Sequence, residues 1–297
     1  MRSKKIQFSI LTGIVVTAIS PPLFADTWAL KATPGVTSGS YSGSQQRDKI
    51  SDVGLMISGD YLEQGGVTVG YSNTQVNMKN ASAIKQDNYV VSGRMNYFPD
   101  GLTGRLTLRL DGYQVNNNDA TGNTNNVTAL APQISWLSTD GMLYADLGYA
   151  KTHYQNQLNV SQLTPTIGFG LNGGADWIQL RSYLISGLNP VRAANKSSTT
   201  ALDANWTHYF EPGTTLAPST MSLGFSTGEK VYAVDMDAQS VSNLADLSKG
   251  GATVGLGWKV AKDTKLFVLA GQTKYSDVTL NNNYKLNVGY ANLTIGW

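Results

Sequence analysis

The chain has 297 residues, 22 basic against 20 acidic side chains, two histidines and no cysteine. So even a balance gives no argument for a nucleic-acid partner. The lack of Cys excludes a disulfide-stapled fold and thiol chemistry.

The first residues read as an export signal. Arg2, Lys4 and Lys5 form a positive start, Ile10 to Ile19 a short apolar run, and two prolines lead to Leu23-Phe24-Ala25. That order predicts a cleaved secretory signal peptide over residues 1–25, with residues 26–297 as the mature domain. The apolar run is too short to span a bilayer comfortably. Loss of the three basic residues leaves 19 basic against 20 acidic, a net charge of −1. Downstream no stretch approaches the ~18 consecutive apolar residues of a membrane helix.

From residue 27 onward the pattern has a period of two. In 105–113 (RLTLRLDGY) Leu106, Leu108 and Leu110 share one face, and Arg105, Thr107, Arg109 and Asp111 the other. In 202–210 (LDANWTHYF) Leu202, Ala204, Trp206 and Phe210 oppose Asp203, Asn205, Thr207 and Tyr209. In 252–260 (ATVGLGWKV) Val254, Leu256, Trp258 and Val260 oppose Thr253, Gly255, Gly257 and Lys259. The chain closes on NVGYANLTIGW, with Ala291, Leu293, Ile295 and Trp297 on one face. Such alternation marks strands with one apolar side. About fourteen segments start near residues 27, 48, 66, 86, 103, 127, 141, 158, 175, 199, 219, 251, 264 and 284.

The connections alternate between two classes. Tight ones fall at 63–66, 99–104, 138–141, 172–175, 211–218 and 261–264, rich in turn-forming residues. Longer polar ones fall at 37–50, 77–86, 115–126, 151–157, 187–198, 227–250 and 277–283. This predicts an all-β fold: one antiparallel up-and-down transmembrane barrel of about 14 strands, with 12 or 16 as alternatives.

A soluble sandwich also alternates, but three features favour lipid. Aromatics cluster near segment ends at Trp28, Tyr97, Trp136, Trp206, Phe210 and Trp258, as membrane-interface girdles require. The opposite faces stay polar in mid-strand. The segments are long enough to cross a bilayer when tilted. Fourteen strands ~4.8 Å apart and tilted ~40° give a backbone radius of roughly 14 Å and a bore of ~5–8 Å radius unless loops fold in. The 227–250 loop, long and partly apolar, is the expected plug or lid.

The terminal aromatic after alternating apolar residues resembles the C-terminal assembly signal of Gram-negative outer-membrane barrels, with Trp297 where Phe is usual. That resemblance implies the barrel-assembly machinery and outer-membrane lipid as partners, and Ala291, Leu293, Ile295 and Trp297 as the signal. The stretches WIQLRSYLISGLNP (177–190) to STGEKVYAVDMDAQSVSNLADLSKGGATVGLGW (226–258) resemble the C-terminal half of YaiO-type outer-membrane barrels. That narrower resemblance implies an envelope barrel, in some members tied to surface polysaccharide. No helical-repeat stretch of the kind polysaccharide exporters carry is read here, which speaks against export.

Strand phase sends Arg94, Arg105, Arg109, Asp111, Asp146, Arg181, Asp203 and Lys259 into the lumen, with Asp60 and Lys265. Arg94, Arg105 and Arg109 form a basic ladder on one wall, with Asp111, Asp146 and Asp203 expected further round. Opposed charges of this kind set a transverse field that selects solutes, or pair and brace the wall. Tyr113, Tyr144, Tyr154, Tyr183 and Tyr209 are expected inside as well, stacking on sugar rings or filling space. Both histidines, His153 and His208, fall on the outward phase, so a Ser–His–carboxylate arrangement lacks support. Asp235 and Asp237 (VDMDA) read as a solvated loop rather than a Ca²⁺ or hydrolytic site.

The expectation is a non-enzymatic passive channel for small hydrophilic solutes, without cofactor or metal. The alternatives are a barrel serving surface polysaccharide, by export or anchoring, and a structural or adhesive barrel with an occluded lumen.

Overall fold

The computed structural model describes residues 27–297 apart from 102, 194, 212–216, 244–245 and 278. The expected signal peptide lies outside the described residues. Strands are β1 (Trp28–Ser42), β2 (Arg47–Tyr61), β3 (Gly65–Met78), β4 (Ile84–Tyr97), β5 (Arg105–Asn117), β6 (Val127–Leu137), β7 (Leu143–His153), β8 (Asn159–Leu171), β9 (Asp176–Ser186), β10 (Ser198–Tyr209), β11 (Thr220–Lys230), β12 (Val234–Asp235), β13 (Ser240–Val241), β14 (Leu247–Ala261), β15 (Thr264–Asp277) and β16 (Asn282–Gly296). All but β12 and β13 pair with their sequence neighbours, β11 joining β14, and β1 pairs antiparallel with β16 to close a barrel of fourteen strands. Closure leaves no unpaired edge, the condition for strands in lipid.

The wall strands are 11 to 15 residues long, so much of what the sequence assigned to loops is strand. The connection expected over 37–50 shrinks to 43–46, and 77–86 to 79–83. Nor is the other end uniformly tight, since its turns include 98–104 and 210–219. The outer face explains the longer strands. On β2 it runs Ile57, Leu55, Val53, then turns polar at Ser51 and Lys49; on β16 it runs Ile295, Leu293, Ala291, then Asn287 and Lys285. On each strand the apolar band covers roughly nine residues, what a tilted strand needs to cross the hydrocarbon. Beyond it the strands continue with polar side chains on both faces, a composition that reads as loop.

Large apolar side chains stay exposed around the outside, among them Val53, Val69, Val91, Leu108, Ile134, Ile167 and Phe225. In water such a surface would be a liability; against acyl chains it is matched. Trp28, Tyr97, Trp136, Trp206, Phe210 and Trp258 all fall on the outward phase at one end, where both termini lie. They form a single belt there. The outward tyrosines Tyr71, Tyr89 and Tyr149 stand where the band turns polar at the opposite boundary. The last strand is held at the seam: Leu30 and Trp297 exchange two backbone hydrogen bonds of 3.1 Å, which puts Trp297 on the outer phase with Ala291, Leu293 and Ile295.

Candidate functional site: an inward-folded loop across the lumen

Residues 231–243, between β11 and β14, fold into the barrel. Two glycines start this segment inward. Gly228 and Gly250 have φ of 90° and 100°, and each sits at a register shift where β11 and β14 part. A Cβ on Gly228 would stand 2.5 Å from the Thr200 carbonyl oxygen, and on Gly250 2.3 Å from that of Ser226. Only glycine takes this backbone at such close quarters. Inside, β12 and β13 pair through Val234–Val241 and Asp235–Ser240 as a short hairpin.

The hairpin is docked on the β5–β9 wall. Gln162 holds Val234 at both ends of its amide: Nε2 donates to the Val234 carbonyl at 2.7 Å, and Oε1 accepts from the Val234 amide at 3.0 Å. Arg109 donates to the Met236 carbonyl at 2.7 Å. Met236 is 2% exposed and lies over Gly148, where a Cβ would meet its methyl group. Arg181 reaches Asp237 at 2.6 Å and Asp235 at 3.7 Å. Above these contacts Val231, Tyr232, Ala233 and Leu247 pack on Val115, Val127, Val160, Ile185 and Tyr154 from the wall. Burial of Val231 and Leu247 in this packing is worth roughly 1.5–3 kcal/mol each.

The far end of the loop is clamped to the barrel seam. Asp246 forms an ion pair with Arg47 at the start of β2 and accepts a hydrogen bond from Tyr284 on β16; Arg47 donates to the Tyr284 hydroxyl at 2.8 Å. The side chains of Arg47 and Asp246 are only 9% and 6% exposed. Burial pushes the Asp246 carboxyl above its ordinary range, with the Arg47 charge opposing.

The lumenal charges sit as follows. Arg94 pairs with Asp60 at 2.6 Å, and Lys31 takes the other oxygen of Asp60 at 3.0 Å. Arg109 pairs with Asp111 at 2.8 Å. Asp111 is therefore not across the lumen from the ladder but two residues along the same strand, a correction that follows from period two: both residues point inward side by side. Asp146 lies 3.9 Å from Arg181, and Asp203 meets Lys230 at 2.9 Å. Arg105, Lys259 and Lys265 make no ion pair among the described residues, and Lys259 faces Lys265 in register. Asp235 and Asp237 lie on the inward-folded loop, where both face Arg181 while their side chains stay 40% and 53% exposed. The inward tyrosines are engaged as well. Tyr113 donates to Asp111 at 2.9 Å and Tyr144 to Asp146 at 2.8 Å. Tyr154 packs on Tyr232 with ring centroids 4.6 Å apart, and Lys230 stands 4.3 Å over Tyr183. Tyr209, at the turn end of β10, stays exposed.

Neither histidine reaches the lumen. His153 meets Asn159 at 2.8 Å, and His208 meets Asp176 at 2.8 Å, both on the outer wall. Trp206 donates to the same Asp176 oxygen at 3.0 Å.

The loop leaves space on three sides. A cavity of about 530 Å³ lies between the loop tip and the β1–β5 and β15–β16 wall, with Met56, Val90, Phe267 and Tyr290 among its lining. One of about 400 Å³ lies towards β10–β15, beside Asp203 and Lys230. A polar one of about 280 Å³ lies at the turn end, lined by Arg94, Arg105 and Arg109. All three touch the loop between Asp235 and Ser242.

Sequence reading missed Gln162 and Gly148. Gln162 carried a signal, an inward polar residue between the inward Val160 and Thr164; Gly148 carried none, because its meaning lies in Met236, far along the chain.

The fold is that of a closed outer-membrane-type barrel. No protein-family model matches the chain, and no curated protein matches it in sequence. Solved structures do. The toluene transporter TodX of Pseudomonas putida is 9% identical, with 91% of this chain and 89% of that one covered and a TM-score of 0.55. The COG4313 outer membrane channel of Pseudomonas putida F1 is 9% identical over 91% and 96%, with a TM-score of 0.49. Acinetobacter baumannii Omp33 is 6% identical over 91% and 99%, with a TM-score of 0.47. The likeness to TodX extends to the fold alone, a closed β-barrel.

Proposed function

We propose that this chain is an outer-membrane channel through which small hydrophilic solutes diffuse, narrowed partway by its own 231–246 loop. The observation that carries this is the pair of surfaces the wall presents: an apolar outer belt bounded by aromatics, and a lumen with ion pairs and cavities of about 400 and 280 Å³ beside the loop. A wall with those two sides separates lipid from a polar path. The selectivity roles of Arg94, Arg105, Arg109, Asp111, Asp146, Arg181, Asp203 and Lys259, export through residues 1–25, and assembly through Ala291, Leu293, Ile295 and Trp297 belong to the same proposal. Passage requires no cofactor.

Liposome swelling tests the reading. Vesicles carrying the refolded protein are expected to swell in an uncharged pentose such as arabinose, and to swell far more slowly in the tetrasaccharide stachyose. No swelling with arabinose would remove the diffusion channel. Equal rates for both sugars would mean the loop is not a constriction, and the polysaccharide reading from the YaiO-type resemblance would gain. As it stands, a loop pinned at Gln162, Arg181 and Arg47 favours small solutes over a polymer.

A further inference from the structure

We infer that the cavity at the turn end is a binding subsite for a small organic anion bearing a carboxylate. The inference rests on the channel reading for how the solute reaches the site. Its ground is an imbalance of charge that folding alone does not call for. Arg94 on β4 and Arg109 on β5 are direct register partners. Like charges at opposed positions of an antiparallel pair destabilise it. Each arginine bends to a carboxylate of its own, Arg94 to Asp60 and Arg109 to Asp111. Asp60 is shared with Lys31. Arg105, four residues from Arg109 on the same face, has no carboxylate among the described residues, and its Nε is buried without a hydrogen-bond partner. Three arginines thus line one cavity, where the only carboxylate the wall contributes among the described residues is Asp60, itself shared with Lys31.

The second carboxylate at this cavity belongs to the loop. Asp237 borders it but is spent on Arg181 at 2.6 Å. The remaining lining is hydrogen-bonding, with Asn96, Thr107, Gln133, Ser135 and Tyr144. Arginine forks bind carboxylates with two parallel hydrogen bonds, and the amides and hydroxyls suit a hydroxylated body. The volume of about 280 Å³ sits at the small end of ligand sites, so the solute is small. Arg94 remains open to it, with 45% of its side chain exposed. Lys259 and Lys265, inward near the same end, extend the positive field towards the mouth.

The test is calorimetric titration of the refolded barrel in detergent with gluconate, and with sorbitol, the same carbon chain without the carboxylate. Saturable binding of gluconate and none of sorbitol is expected. Arg105→Gln should weaken gluconate binding about tenfold, the loss of a hydrogen bond between charged groups, and Arg105→Lys should restore part of it. Arg94→Gln is the second variant should Arg105→Gln fail to show the heat-modifiable gel mobility of a folded barrel. Equal binding of the two solutes, no binding, or unchanged gluconate affinity in a folded variant would overturn the subsite. The two readings fail separately. A barrel that swells liposomes in arabinose but does not bind gluconate keeps the channel and loses the subsite; one that binds gluconate through Arg105 but passes no sugar does the reverse.

Discussion

Replacing residues 232–245 with a short turn is expected to raise single-channel conductance roughly threefold or more, because the hairpin fills most of a bore of ~5–8 Å radius. A two-stranded ribbon with its side chains is about 10 Å across. It stands against the β5–β9 wall and leaves only the spaces on its far sides. The barrel itself does not depend on the loop: every wall strand has its ladder from a neighbour, and β1 closes on β16. The shortened protein is therefore expected to fold, with Val115, Val127, Val160 and Ile185 now facing water in the lumen. An unchanged conductance in a folded variant would mean that the loop is no constriction.

The second large effect is expected at the seam. Arg47→Leu removes the cation from Asp246 while leaving the carboxylate in a site only 6% exposed. Breaking a buried pair from one side costs about 3–5 kcal/mol. The variant should show a lower urea midpoint in detergent than the parent. The pH dependence has a definite sign. Burial already raises the Asp246 carboxyl, and losing the Arg47 charge that opposes this raises it further. A group whose folded pKa lies above its unfolded one contributes stability that is lost as pH rises through the folded value. The deficit relative to the parent should therefore be larger at pH 8 than at pH 5. Equal deficits at both pH values would mean that Asp246 has found another partner. Faster opening of the loop, read as larger conductance fluctuations, should accompany the loss, since Asp246 lies on the loop and Arg47 on the wall.

Much of the barrel was legible because a strand in lipid is written in two alphabets, apolar outward and polar inward. Expected starts such as 127, 264 and 48 fall within a residue of β6, β15 and β2. The same rule placed Arg94, Arg105, Arg109, Asp146, Arg181 and Asp203 on the inward phase. It failed where both faces are polar: Ser38, Ser40, Lys49, Asn77, Lys85 and Asn117 are strand that rises beyond the apolar band, and polar residues on both sides look like loop. It failed again on pairing. Phase says that Arg109 and Asp111 point inward, but not that they bind each other. No local pattern could join Gln162 to Val234, Gly148 to Met236 or Arg47 to Asp246, since each bond is made by folding a distant loop into the barrel. One signal was present and unread. Val115, Val127, Ala129, Val160 and Ile185 are inward yet apolar, and an apolar inner wall in a polar lumen calls for something to cover it.

The measurement that bears most directly on the account is single-channel conductance of the refolded mature protein in a planar bilayer. The account predicts stepwise conductance from the intact chain, at a level set by the space beside the 231–246 loop. A silent bilayer with protein shown to be inserted, or a mature chain that stays soluble without detergent, would contradict it.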